Sequence, residues 1–113
     1  MLAPEKIAPA VTASVAKMHR ATVDEVAATV AREHIVVVGM RQNPVVKKAR
    51  QCLAEKNLPY TYLEYGSYLG EWKRRLAIKL WAGFPTFPMV FVDGTLIGGN
   101  AELQALVSEG KLA

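Results

Sequence analysis

The chain has 113 residues, of which 51% are hydrophobic and 21% are charged, and these values are typical of a single soluble globular domain. No apolar run approaches the roughly 20 residues of a transmembrane helix, so we expect no membrane partner. Residues 1–20 lack a continuous apolar segment, and we expect no secretory signal. The single cysteine excludes an internal disulfide and indicates a reducing compartment, which we take to be the cytoplasm.

The excess of positive charge is modest, because 14 basic residues face 10 acidic residues and the net charge is +4. The positive residues gather in two stretches, which comprise Arg41, Lys47, Lys48 and Arg50, and then Lys73, Arg74, Arg75 and Lys79. Clusters of this kind are more often solvated helix faces than nucleic-acid surfaces, so we do not expect a nucleic-acid partner. A small anionic ligand needs only a few well-placed cations, so this modest excess of basic residues is compatible with such a ligand.

The first part of the chain predicts an arm, a helix and a strand. Residues 1–21 contain alanine and proline without a firm period, and we interpret them as a loose arm before a domain at residues 22–113. Thr22 with Glu25 three residues later is a capping-box pattern, which predicts that a helix starts there. The β-branched run at residues 35–40 predicts a central strand that is buried on both faces.

The middle of the chain predicts a helix, a strand and a second helix. Asn43-Pro44 combines an N-cap acceptor with proline at the first helical position, which predicts a helix that ends near Asn57. Residues 60–65 predict the second strand, and residues 71–82 predict the helix that follows it. The expected packed face of that helix includes Trp72, Leu76 and Leu80.

The last third of the chain predicts a hairpin and a final helix. A double-proline turn leads into a strand at residues 89–92. Asp93-Gly94 is a two-residue hairpin signal, because both positions must accept a positive φ. A second strand at residues 95–97 stops at two glycines, after which we expect Asn100 to be the N-cap of the last helix.

The predicted order of elements is α-β-α-β-α-β-β-α. A βαβ unit followed by a helix and a ββα unit is the thioredoxin arrangement, and right-handed crossovers leave few alternatives. We therefore expect an α/β protein with a thioredoxin-like fold, in which helices flank a four-stranded mixed sheet.

Residues 84–88 read Phe-Pro-Thr-Phe-Pro and resemble the W-P-T-x-P turn of monothiol glutaredoxins, with Phe84 in place of the tryptophan. The hairpin, the two glycines and the helix that follow resemble the C-terminal half of a glutaredoxin, which is a thioredoxin-fold protein. The resemblance extends over roughly residues 23–112. It implies glutathione as the ligand, a role in cell redox homeostasis, and a cis peptide bond before Pro88.

The resemblance also places the family's catalytic motif, C-P-Y-C-K-K-A, over N-P-V-V-K-K-A in this chain. Asn43 replaces the nucleophilic cysteine and Val46 replaces the resolving cysteine. A carboxamide cannot attack a disulfide or ligate iron through sulfur, so we expect neither thiol–disulfide exchange nor a metal at this position. Cys52 lies about 13 Å further along the same helix among apolar neighbours, and we interpret it as a buried structural residue.

Further implications of the resemblance concern glutathione binding. In the family, the residue before the cis proline offers its backbone N–H and C=O to the cysteinyl part of glutathione, and here this residue is Phe87, between Thr86 and Pro88. A helix N-terminus holds the γ-glutamyl carboxylate, and here it is formed by Gly99 and Asn100. An alanine stands where this motif has an aspartate.

Two cations are candidates for the remaining carboxylate of the ligand. Arg75 falls at the position of an arginine that monothiol glutaredoxins direct at the glycyl carboxylate, whose geometry a guanidinium matches. Arg41 lies near the position of the lysine that precedes the family's active cysteine. Structural alternatives remain open, because Arg75 also fits a solvated helix face, Asn43 fits a simple helix cap, and the turn at Pro88 fits a requirement of the fold.

The candidate site comprises Arg41, Asn43, Arg75, Thr86, Phe87, Pro88, Gly99 and Asn100. We interpret the chain as a glutaredoxin-related protein without redox-active thiols, which binds glutathione or a cysteine-containing peptide or protein non-covalently in a redox-sensing or adaptor role. One alternative is a glutathione-dependent oxidoreductase or transferase that uses the thiol of bound glutathione. The other is an interaction module without a small ligand, in which Phe87 or Trp81 fills the cleft.

Overall fold

The computed structural model describes residues 19–66 and 71–112, in which four helices and four strands follow the predicted order. The elements are α1 (Arg20–Arg32), β1 (Ile35–Gly39), α2 (Pro44–Glu55), β2 (Thr61–Glu64), α3 (Trp72–Ala82), β3 (Met89–Val92), β4 (Thr95–Gly98) and α4 (Asn100–Ser108). The expected thioredoxin-like fold is confirmed. Most of the arm predicted at residues 1–21 lies outside the described residues.

The four strands form one mixed sheet in the order β2-β1-β3-β4. β1 runs parallel to β2 and antiparallel to β3, and β3 pairs antiparallel with β4. The hairpin between β3 and β4 turns at Asp93 and Gly94, whose φ angles are 50° and 82°. Both values lie in the left-handed region that the Asp-Gly signal predicts.

β1 is the central element of two hydrophobic cores, because successive side chains of a strand point to opposite faces. Val36 and Val38 contribute to the core beneath α1 and α3. Ile35 and Val37 contribute to the core beneath α2 and α4. All five residues of β1 are buried, as the continuous β-branched run predicts.

The predicted cap of α1 is wrong. The helix begins at Arg20, so Thr22 lies inside its first turn. Thr22 is buried, and its hydroxyl accepts a hydrogen bond of 2.8 Å from Nε of Arg74 on α3. The carboxylate of Glu25 accepts a hydrogen bond from the hydroxyl of Tyr65. The two residues therefore attach α1 to α3 and to the end of β2, instead of capping the helix locally.

The predicted packed face of α3 is also partly wrong. Trp72 is 56% exposed, whereas Arg75, Ala77 and Ile78 are the buried residues of this helix. Ile78 is fully buried in the core that α1 covers. The orientation of α3 is therefore set by its contact with α1 and the sheet, and the indole at its first residue lies outside that contact.

Gly39 determines how closely the start of α2 approaches the sheet. A Cβ atom at this residue would lie 2.7 Å from Cγ1 of Val46 and 3.1 Å from Cε1 of Tyr62. Both distances are too short for a carbon contact, and Val46 is buried. The missing side chain therefore allows the first turn of α2 to pack directly over the end of β1.

Replacing Gly39 by alanine should lower the free energy of unfolding by about 1–3 kcal/mol, the usual cost of overpacking a core. The matched variant Val46→Ala removes the opposing methyl groups, so the double variant should be more stable than the sum of the two single changes predicts. Urea unfolding of all four proteins measures this coupling. If the losses in free energy of unfolding of the two single variants simply add in the double variant, residues 39 and 46 are not in steric contact.

Candidate functional site

The loop between β1 and α2 is held against the end of β2. The backbone N–H of Arg41 donates to the carbonyl of Gly66 at 2.6 Å. The guanidinium of Arg41 lies 3.6 Å from the carboxylate of Glu64, between Nε and Oε2. Gln42 has a φ of 64°, which reverses the chain before the helix. These contacts place Arg41 on the β2 side of the loop.

Asn43 caps α2 in the predicted way. Its Oδ1 accepts hydrogen bonds from the backbone N–H groups of Val45 at 2.9 Å and Val46 at 3.2 Å. Pro44 occupies the first helical position, where its missing N–H costs nothing. Because the amide oxygen is engaged by the helix, the NH₂ group of Asn43 is left as the donor that an approaching ligand can meet.

The turn that contains Phe87 and Pro88 lies beside the start of α2. The peptide bond between the two residues is cis. The ring of Phe87 is buried in the core that also contains Met40 and Val46. Within residues 19–66 and 71–112, no hydrogen bond uses the backbone N–H or C=O of Phe87. Among the described residues, these two backbone groups therefore have no hydrogen-bond partner.

The start of α4 lies next to the same turn. A Cβ atom at Gly99 would lie 3.4 Å from the carbonyl oxygen of Pro88, which is an ordinary van der Waals contact and shows that the two residues are neighbours. Gly99, not Asn100, is the N-cap residue, because α4 begins at Asn100. The side chain of Asn100 instead accepts a hydrogen bond of 3.2 Å from Gln104 on the next turn.

Glu102 occupies the position where a ligand carboxylate was expected. Its Oε2 accepts a hydrogen bond of 3.1 Å from the backbone N–H of Gly99. Gly98 makes this fold-back possible, since a Cβ there would lie 2.7 Å from Cδ of Glu102. Glutamate at the third helical position is a capping signal in the sequence. The comparison of residue 101 with the family's aspartate did not predict this cap.

The two candidate arginines have structural contacts of their own. Arg75 is only 6% exposed, and its Nη1 donates to the carbonyl of Tyr65 at 2.9 Å. It therefore secures the end of β2 against α3. Arg41 is exposed and is drawn toward Glu64. Both contacts limit how these side chains can move.

Lys79 is a cation of the site that sequence reasoning did not select. Its Nζ lies 5.4 Å from the centre of the Phe87 ring. Partial burial lowers the pKa of Lys79, and the nearby charge of Arg75 lowers it further. Lys79 follows Arg75 by four residues, and this spacing places two residues on one helix face. This four-residue spacing from Arg75 was the feature of the sequence that could have identified Lys79.

Gly99 at the start of α4 thus lies against Pro88, and Phe87 shares a hydrophobic core with Val46 in the first turn of α2. Thr86 is exposed. Trp81 packs against Phe91 of β3, with ring centres 5.9 Å apart. The side chain of Phe87 belongs to the core below the cleft.

Cys52 is a buried free cysteine of α2, with 8% of its surface exposed. The described part of the chain holds no group of three or more histidine, cysteine, aspartate or glutamate side chains placed to bind a metal ion. In residues 19–66 and 71–112, no helix combines the length and apolar composition that a membrane crossing requires.

Replacing Asn43 by alanine should lower the free energy of unfolding by about 1 kcal/mol, because two N–H groups of α2 lose their acceptor. Asn43→Ser is the matched control, since its hydroxyl oxygen retains the capping function and should hold the loss to a few tenths of a kcal/mol. Thermal and urea unfolding measure both. If the serine and alanine variants are equally unstable, the cap does not explain the loss.

Comparison with known proteins places the site in a family context. No family model matches the chain. A protein named glutaredoxin-like protein from Dictyostelium discoideum is 47% identical over 94 residues, which cover 83% of this chain and 76% of the relative. Glutaredoxin 1 of Rickettsia conorii is 35% identical over 78 residues, which cover 69% of this chain and 76% of the relative.

Solved structures show the same fold. A mutated buckwheat glutaredoxin matches with a TM-score of 0.72 at 21% identity, over 88% of this chain and 87% of the other. A complex of buckwheat glutaredoxin with glutathione matches with a TM-score of 0.70 at 22% identity, over 88% and 87% of the two chains. Because the Dictyostelium and Rickettsia relatives are at least 35% identical over more than two thirds of the chain and the fold agrees, the chain belongs to the glutaredoxin family.

Proposed function

We propose that this glutaredoxin-family chain binds glutathione, or a cysteine-containing segment of a partner protein, without forming a covalent bond. The observation that carries the proposal is that, in the described part of the chain, the backbone N–H and C=O of Phe87 have no hydrogen-bond partner, while the neighbouring Pro88 contacts the start of α4. The similarity in fold to a glutaredoxin–glutathione complex supports it. The proposed location is a reducing compartment such as the cytoplasm.

The cysteinyl part of the ligand would pair with the backbone of Phe87, in the way that a strand adds to an exposed edge. This pairing directs the ligand sulfur toward Asn43. The amide NH₂ group there donates a hydrogen bond and cannot form a mixed disulfide. The ligand is then held by a reversible equilibrium, which suits a redox sensor or an adaptor better than a catalyst of thiol exchange.

Cations on α3 and before α2 would neutralise the glycyl end of the ligand. Lys79 lies beside the Phe87 ring, with its Nζ 5.4 Å from the ring centre. Arg75 adds a fixed positive charge from its buried position. Arg41 can contribute if its contact with Glu64 opens. Thr86 provides a hydroxyl at the rim of the cleft.

The γ-glutamyl end of the ligand would lie at Gly99 and Asn100. This end carries both a carboxylate and an ammonium group, and Glu102 lies where the ammonium group can reach it. The backbone N–H of Gly99, which now binds Glu102, would turn to the ligand carboxylate. Because the ligand carboxylate would replace that of Glu102, the N–H of Gly99 would keep a hydrogen-bond acceptor before and after binding.

A second candidate function is favoured by the orientation of Asn43. Because its oxygen caps α2, its NH₂ group can donate to a thiolate of bound glutathione and so stabilise it. That thiolate would attack a disulfide, form a bond to one substrate sulfur and release the other as a thiolate. The protein would then be a glutathione-dependent oxidoreductase that supplies no sulfur of its own.

Glutathione added at millimolar concentration should shift the amide NMR signals of Phe87, Gly99 and Asn100. Lys79→Gln should weaken the apparent affinity roughly fivefold, the effect of losing a half-exposed ion pair of about 1 kcal/mol. Lys73→Gln removes the same charge from an exposed position on the same helix and should leave the affinity unchanged. Shifts absent from all three reporter residues would contradict the cleft.

Asn43→Cys, made together with Cys52→Ser, should react with oxidised glutathione to give a protein carrying one glutathione. The N–H groups of Val45 and Val46 that now bind the amide oxygen would stabilise the introduced thiolate, so its pKa should fall below the ordinary value. Mass spectrometry and alkylation rates against pH measure both effects.

The single variant Cys52→Ser is the control for this experiment and should form no adduct. If it turns over a glutathione mixed disulfide, the catalytic alternative is correct and the non-catalytic proposal fails. An unreactive thiol in the Asn43→Cys protein would mean that the cleft does not receive glutathione in the expected orientation.

A further inference from the structure

A groove of about 650 Å³ lies between α2 and the edge strand β2. One wall is formed by a single face of α2, on which Lys47, Arg50 and Gln51 recur at helical spacing, and Tyr60 and Tyr62 line the opposite side. This volume is in the range of small-molecule sites. Of the residues proposed to bind glutathione, only Arg41 and Asn43 also line the groove.

Arg50 is held in one orientation by two independent contacts. Its guanidinium carbon lies 3.9 Å from the centre of the Tyr62 ring. Its Nε lies 3.3 Å from the hydroxyl of Tyr60. Among the described residues, no acceptor meets its terminal Nη groups. The guanidinium is therefore preorganised, with its bidentate end available to an anion and little side-chain entropy left to lose on binding.

The charges around the groove match an ion with two negative charges. The lining carries three cations, Arg41, Lys47 and Arg50, and one carboxylate, Glu64, which lies 3.6 Å from Arg41, so the lining keeps an excess of two positive charges. A phosphate monoester carries about −1.5 to −2 charges near neutral pH, whereas a single carboxylate carries one. Two cations on one helix face therefore favour a phosphate monoester.

The stacked pair formed by Arg50 and Tyr62 also favours a flat ligand. Guanidinium groups stack on aromatic rings, and Arg50 is an exposed residue whose guanidinium carbon lies 3.9 Å from the centre of the Tyr62 ring. The side chains of Gln42 and Gln51 in the same lining can donate and accept hydrogen bonds at the edge of a ring.

We propose that this groove is a second binding site, separate from the glutathione cleft, for a phosphorylated small molecule with a planar ring, of the nucleoside monophosphate class. The phosphate binds the Nη groups of Arg50 and the ammonium of Lys47. The ring stacks on the outer face of the Arg50 guanidinium. Arg41 and Asn43 border both sites, but the proposed phosphate and ring contacts need no contribution from Phe87 or Gly99.

Titration with AMP, adenosine and inorganic phosphate, followed by amide NMR, tests the site in the full chain. AMP should shift the signals of Lys47, Arg50 and Gln51, and it should bind more tightly than either adenosine or phosphate. Arg50→Gln should weaken AMP binding about tenfold, the loss expected for one hydrogen bond to a charged group. Arg50→Lys should recover part of the affinity, because it retains the charge but not the planar fork.

Lys48→Gln is the matched control, since it removes one charge from the same helix outside this groove and should change the affinity less than twofold. If the Lys48 and Arg50 variants lose the same AMP affinity, general electrostatic attraction explains the binding and the proposed site is wrong. Phosphate binding as tightly as AMP would overturn the stacking of the ring. Shifts at Phe87 and Gly99 alone would assign AMP to the glutathione cleft.

Discussion

The structure depends on the burial of β1 on both of its faces. Val36 and Val38 complete one core while Ile35 and Val37 complete the other, so a single strand of five residues joins two layers of helices. Apolar burial stabilises a fold in proportion to the area removed from water, and no other described strand is buried at every residue. Because β1 is fixed from both sides, the loop that leaves its carboxyl end begins from a rigid position.

The exchange of a nucleophilic sulfur for a carboxamide leaves the local architecture of that loop intact. Asn43 satisfies the N–H groups of Val45 and Val46, which are the groups a thiolate at a helix start would use. The helix thus retains a favourable N-terminus without any reactive atom. In the proposed function, this substitution separates recognition of a cysteinyl ligand from chemistry on it, since the neighbouring backbone of Phe87 is untouched by the change.

Local signals explain what the sequence allowed us to predict. The strand β1, the Asn-Pro helix start and the Asp-Gly hairpin are each encoded by a few adjacent residues, and all of them lie where they were predicted. Apart from the cap of α4, the errors concern side chains whose partners are distant in sequence. Thr22 meets Arg74 on α3, and Arg75 meets the carbonyl of Tyr65. No periodicity within one helix specifies such a partner. The groove beside β2 was missed for the same reason, because its two walls come from different elements.

The fold-back of Glu102 onto Gly99 has a consequence for selectivity. A molecule that arrives at the start of α4 with only negative charge encounters a carboxylate that is already satisfied by the backbone. A zwitterion encounters the same carboxylate as an acceptor for its ammonium group. In the proposed function, the self-capped helix would therefore favour a ligand end that carries both an ammonium group and a carboxylate over a simple acid.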